Sequence, residues 1–210
     1  MLATLLCFSL DNLDEVKAEL EDVIKAAERM LANNWEFFKD AVGAYDFNRI
    51  VYLGANCLKG IAQESQLKIL ELTAGRVATM YDSPMGFRHG PKSIINDDTL
   101  TIVYLSDDPY TRQYEVDLIK EMSPQRKGNK LMAIMNKRDE EVAGLVDYAF
   151  SFDLDNEHEN AFLGFDYIVA AQVLALFKSL SYDITPDNPC PTGEVNRVVK
   201  GVILHPYTKR

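Results

Sequence analysis

The run from Gly60 to Ala74, GIAQESQLKILELTA, carries three charges, Glu64, Lys68 and Glu71, among mostly apolar residues. On a helix turning about 100° per residue, the spacing E-x-x-x-K-x-x-E sets all three within one arc of about 60°. Two carboxylates with an ammonium between them can move a proton between neighbouring carbons and steady the anion that forms. That chemistry requires the stripe to line a cleft. A solvated stripe, in which the i,i+4 Glu–Lys pair adds about 0.2–0.5 kcal/mol, fits the same spacing.

A second reactive feature is GFRHGP, Gly86 to Pro91. Set between glycines and stopped by proline, it cannot lie inside a regular helix. As a histidine, His89 is a residue type suited to act as acid or base, and Arg88 offers a fork suited to phosphate or carboxylate. A turn histidine bonded to backbone is the alternative. His158, in DNEHEN, and His205 read as loop residues. A third feature, LGANCLKG (53–60), is a strand-to-helix turn whose Gly54 and Gly60 let backbone approach a ligand and whose free N–H groups attract anions. It lacks the GK[ST] of a P-loop and the GxGxxG of a dinucleotide fold, so a plain turn explains it equally well.

These residues need elements to hold them. Leu13, Val16, Leu20, Val23, Ala27 and Leu31 recur at threes and fours, predicting a helix from Asp11 to about Asn33. Asn12 is its expected cap, with Glu15 completing a capping box. NWEFFKDAVGAY suggests a second, short helix. Five strand-like runs follow: RIVYLG (49–54), RVATMYD (76–82), TLTIVYLS (99–106), KLMAIMN (130–136) and DYAFSFD (147–153). Helical stretches separate them: Lys59 to Ala74, the vicinity of Ser93, Tyr110 to Met122, and residues around Glu140. Asp107 or Asp108 caps the third of these, with Pro109 at its first position. A long helix, Ala161 to Ser181, closes the series. Apolar strands alternating with helices predict an α/β fold of three layers, a five-stranded parallel sheet between helices, preceded by a helical segment. The expected divisions are a helical segment 1–45, the α/β domain 46–185 and a Pro- and Gly-rich arm 186–210. Ligands of such sheets bind beyond the carboxyl ends of the strands, where strand order reverses.

With 47% hydrophobic residues, 210 residues suffice for one domain with a sizeable core. A net charge of -10 and a pI near 4.8 exclude the basic footprint of a nucleic-acid binder. Cys7, Cys57 and Cys190 show neither CxxC nor Cys/His metal spacing, which points to a reducing cytoplasm, no disulfide framework and no metal. MLATLLCFSL lacks a basic n-region and a cleavage site, and no apolar run approaches the roughly 20 residues that cross a bilayer. The expectation is a cytoplasmic chain without membrane or nucleic-acid partners.

LGANCLKGIAQESQLKILELTAG, YDSPMGFRHGPKSIIND, DDPYTRQYE and DNPCPTGEVNRVV together resemble the second sugar-isomerase (SIS) domain of the ketose/aldose phosphate isomerases. Within these, they are most similar to the tagatose-6-phosphate ketose/aldose isomerase (galactosamine-6-phosphate deaminase/isomerase) family. The resemblance implies that Glu71 moves the proton between C1 and C2 of an open-chain sugar phosphate or aminosugar phosphate. It implies that His89 assists ring opening, often across a dimer, and that Lys200 supplies a C-terminal amine. Glu64, Lys68, Arg88, Gly54 and Asn56 are the implied substrate-binding residues, with no metal or organic cofactor. For an aminosugar, the same proton shuttle turns the C2 amine into an imine that water hydrolyses, giving tagatose 6-phosphate and ammonia from galactosamine 6-phosphate. Members carry two SIS domains, so a partner SIS half or a homo-oligomer is implied. The chain departs from the pattern in lacking an S-x-S-G-x-[ST] phosphate loop, and Asn56 and Cys57 replace the smaller residues common after the first strand. A non-catalytic SIS module that binds sugar phosphate or a partner half is the alternative.

Overall fold

The computed structural model describes Cys7 and residues 11–190, 192–193 and 201–207. Within β1 (Arg49–Leu53), Ile50 and Tyr52 enter one hydrophobic cluster while Val51 and Leu53 enter another, all four fully buried. A strand apolar on both faces belongs inside a sheet covered on both sides. β2 (Ala78–Asp82) and β3 (Thr99–Tyr104) flank it, with Val51 level with Met80 and Thr101. β4 (Lys130–Met135) and β5 (Tyr148–Ser151) continue beyond β3. All pairs are parallel and the order is β2-β1-β3-β4-β5, so strand order reverses between β1 and β3.

One face of the sheet is covered by α3 (Leu58–Leu72) and α7 (Asn160–Ser181). The rings of Tyr52, Tyr104 and Tyr167 stack there in sequence, at centroid separations of 6.0 and 5.3 Å. α1 (Leu13–Arg29) and α2 (Glu36–Ala44) pack on α7, burying Val16, Leu20, Val23, Phe38 and Ala41. The other face is covered by α4 (Pro84–Phe87), α5 (Pro109–Met122) and α6 (Glu140–Leu145), whose Phe87, Leu118, Ile119 and Val142 meet Val51, Leu53 and Val103. Each such fully buried side chain contributes about 1.5–3 kcal/mol over its exposed state.

The predicted three-layer architecture is therefore present, with local differences. Asn12 occupies the cap position of α1, but its side chain makes no capping hydrogen bond. α1 ends in a π-helical turn, Met30–Asn34, that hands the chain to α2 through Trp35, stacked on Phe177 at 5.5 Å. GFRHGP is not wholly a loop. Gly86 and Phe87 complete the single turn of α4, begun by Pro84 and capped by the Ser83 hydroxyl, which accepts from the Gly86 N–H at 3.1 Å. The expectation that no apolar segment reaches bilayer length is also corrected, because α7 has 22 residues and the apolarity of a span. It is nonetheless a core helix: Phe162, Leu163, Tyr167 and Leu174 are buried in the protein, and so are its Asp166 and Lys178.

Candidate active site

α3 is held to the sheet by Leu58, Ala62, Ser65 and Ile69, and this fixes where its charges go. Ser65 donates to the Ile61 carbonyl or shares a 2.7 Å hydrogen bond with the Tyr104 hydroxyl, locking the rotation of the helix. Glu64, Lys68 and Glu71 then fall on the outward side as one cluster, with Lys68 Nζ 3.2 Å from Glu64 Oε1 and 3.1 Å from Glu71 Oε2. Partial burial opposes the charge on Lys68, but hydrogen bonds to Glu71 and Glu64 outweigh it and hold the ammonium above its ordinary pKa. Both carboxylates are exposed, and half-exposed Leu67 and Leu70 border them.

The His89 loop lies across the sheet from this cluster. Phe87 anchors it in the α5 face, and Arg88 Nε pairs with Glu121 Oε2 on α5 at 2.5 Å. Lys92 reaches the other oxygen of the same carboxylate at 2.5 Å, and these contacts, Lys92 foremost, hold Glu121 below the usual carboxylate range. The fork expected of Arg88 is thus engaged within the chain, where it pins the loop. His89 itself is exposed. It is separated from Glu71, because α3 and the His89 loop belong to opposite faces of the sheet. Lys200 lies outside the described residues.

At the switch point, Gly54 is required by its own turn, since a Cβ there would sit 2.4 Å from the Leu58 carbonyl oxygen. Asn56 takes a left-handed conformation, φ 50°, and its amide donates to the Thr111 hydroxyl at 3.3 Å. Opposite, the β3–α5 loop is acidic. Asp108 caps α5, accepting from the Thr111 N–H at 2.8 Å and from its hydroxyl, and these bonds hold its carboxyl below the usual range. A helix N-terminus suits an anion, and here the chain's own carboxylate fills that of α5, while that of α3, at Cys57, has no side-chain cap. Asp107 accepts from Asn136 Nδ2 at 2.5 Å and from the His158 N–H at 3.1 Å.

Among the buried polar residues that escaped the sequence reading are Glu115, Asp166 and His158. Glu115 is fully buried beneath the switch point, and burial pushes its carboxyl up to about 7. Its place on the apolar face was visible, because Glu115, Leu118, Ile119 and Met122 follow i, i+3, i+4, i+7. Asp166 holds the same kind of position in α7, with Phe162, Leu163, Tyr167 and Ala170 around it. His158, expected in a loop, is in one, but its ring is buried with Nδ1 3.7 Å from Glu19 and Nε2 3.9 Å from Asp22 of α1. Nothing in DNEHEN announces that. Among the described residues no three His, Cys, Asp or Glu side chains are grouped to hold a metal ion.

Comparison with known proteins bears on this geometry. D-galactosamine-6-phosphate deaminase AgaS of Escherichia coli is 42% identical over 189 residues, 89% of this chain and 48% of the relative. The AgaS deaminase of Shewanella sp. (strain ANA-3) is 44% identical over 161 residues, 77% of this chain and 38% of its own. The chain therefore spans about half, or less, of the length of these curated relatives. The crystal structure of tagatose-6-phosphate ketose/aldose isomerase from Escherichia coli superposes with a TM-score of 0.77 at 38% identity, over 90% of this chain and 47% of that one. A Clostridium novyi NT structure assigned to the same isomerases reaches 0.93 at 48% identity, over 98% and 53%. The SIS domain pattern matches residues 45–177, from just ahead of β1 into α7. Since that span takes in all five strands and well over half the chain, the protein belongs to the SIS domain family.

Proposed function

We propose that this chain acts as the second half of a two-SIS-domain aminosugar-phosphate deaminase/isomerase, converting galactosamine 6-phosphate to tagatose 6-phosphate and ammonia in the cytoplasm. The observation that carries the reading is the Glu64–Lys68–Glu71 cluster, preassembled on an outward face of α3 with exposed leucines beside it. Such a surface suits burial beneath another protein layer, and the relatives are long enough to contain one.

In this reading, Glu71 takes the C2 proton of the open-chain sugar and returns it to C1, while the C2 amine becomes an imine. Water adds to that imine, the C2–N bond breaks, and ammonia leaves. Lys68 orients Glu71 by direct hydrogen bonding. His89, exposed and held by the Arg88–Glu121 clamp, serves ring opening in the site of a neighbouring copy. Glu64 completes the polar wall. The phosphate is held by the other SIS half; in this one Asp108 occupies the N-terminus of α5.

The same capped N-terminus favours a second reading for the chain by itself, a module that turns over nothing until its partner half is present. Ammonia release from galactosamine 6-phosphate separates the two. The chain mixed with a first SIS half should be active, and Glu71→Gln should lower turnover about 10²–10⁴-fold, the usual worth of a positioned acid–base group. Turnover by the chain alone equal to the mixture removes the partner-half reading. An active Glu71→Gln mixture removes the assignment of the base.

A further inference from the structure

Between the end of α1 and β5, at the edge of the sheet, lies a cavity of about 420 Å³. None of its lining comes from the Glu64–Lys68–Glu71 cluster, the His89 loop or the switch point. Its two walls differ in charge. The α1 side presents Arg29 and, from the π-helical turn, Asn33 and Asn34, all three exposed. The side built by β5 and the loop after it presents Asp153 and Asp155, also exposed. Met30, Phe150 and Phe152 supply an apolar floor, and each of the two rings keeps 6% of its surface open.

We propose that this cavity binds a free amino acid with a branched apolar side chain, its carboxylate on Arg29 and its ammonium on Asp155 and Asp153. Arg29 makes no hydrogen bond or ion pair among the described residues, though its field reaches the buried Asp166 carboxyl. A guanidinium fork left free in this way matches a carboxylate with two parallel hydrogen bonds. Asn33 and Asn34 make no side-chain hydrogen bonds among the described residues, so their amides are open to the same anion. Opposite them, Asp153 Oδ1 accepts from the Arg138 N–H at 3.3 Å, while Asp155 has no partner among the described residues.

Charge and composition narrow the ligand. No ion pair joins the two walls among the described residues, so both signs of charge stand open in one cavity. A purely anionic or purely cationic ligand satisfies one wall and meets like charge on the other, whereas a zwitterion satisfies both. The floor offers carbon rings and a thioether, which suit a hydrocarbon branch and leave a hydroxylated sugar ring without partners. The volume falls in the range of about 300–1,000 Å³ usual for small-molecule sites. π-helical turns are rare and recur at functional sites, and this one supplies part of the wall. The site is independent of the reaction proposed above.

Isothermal titration calorimetry of the full chain tests the assignment, with L-leucine, L-leucinamide, N-acetyl-L-leucine and galactosamine 6-phosphate as probes. L-Leucine should bind, and the amide and the acetyl derivative, each lacking one of its charges, should bind at least about tenfold more weakly. Because the ligand bridges α1 and β5, the melting temperature should rise with L-leucine concentration. Arg29→Gln and Asp155→Asn, both at exposed side chains, should each weaken L-leucine about tenfold while the ligand-free melting temperature stays unchanged. Absence of L-leucine binding overturns the proposal, as does equal binding of either derivative. Native affinity in both variants overturns it too. So does binding of galactosamine 6-phosphate that Arg29→Gln weakens, which would make the cavity an aminosugar-phosphate site.

Discussion

Asp166 gives the sharpest test of the packing. It is fully buried in α7, and neither carboxyl oxygen has a hydrogen-bond partner among the described residues. Burial raises its pKa from the usual 3.8 to about 8, with Arg29 at the end of α1 pulling weakly the other way. Below pH 4 the folded and unfolded chains both carry the proton, and stability is indifferent to it. As pH rises, the unfolded chain ionises Asp166 first while the folded chain keeps its proton, so stability falls by about 1.4 kcal/mol per unit until about pH 8. Above that, both forms are ionised and the loss levels off. Integrated from pH 5 to pH 8, the loss is about 3–4 kcal/mol. Asp166→Asn has the same shape and no titration. Urea unfolding of both chains across this range should show the variant's advantage growing by that amount, then becoming constant. An advantage that stays flat with pH, or one that shrinks as pH rises, refutes the burial argument.

Other consequences of the fold are simpler to read. Lys178 is fully buried against Phe47 and Tyr182, with its ammonium 2.8 Å from Asp46, whose own side chain is exposed. Lys178→Met leaves no orphaned buried charge, so urea unfolding should shift by less than about 1.5 kcal/mol in either direction. Gly54→Ala should lose about 1–3 kcal/mol in the same measurement, because its methyl meets the Leu58 carbonyl at 2.4 Å and the α3 turn must move.

The sheet was legible because apolar runs of strand length are a local property. RIVYL, TLTIVY and KLMAIM announce buried strands wherever they occur, and each forms one. The spacing of Glu64, Lys68 and Glu71 was legible for the same reason, since three residues within two turns of helix meet without help from the rest of the fold. What the sequence hid depends on pairs remote in the chain. Arg88 and Glu121 meet across α5, His158 meets Glu19 across the α1 interface, and Lys178 finds Asp46 from the far end of α7. GFRHGP was read as one constrained loop, but Ser83, outside the motif, starts a helical turn that absorbs its first two residues.

The charged cluster of α3 and the loop that carries His89 lie on opposite faces of the sheet. In a sheet of this order the helix N-termini after β1 and β3 flank the point where anions bind. Asp108 caps that of α5, whereas that of α3, at Cys57, carries no side-chain cap. The Glu64–Lys68–Glu71 cluster stands on the outer side of α3, on the face opposite α5, while His89 stays with α5. A side chain on one face cannot reach a substrate held on the other without crossing the sheet. The function proposed above therefore requires surfaces from different domains or copies to meet, each contributing a face.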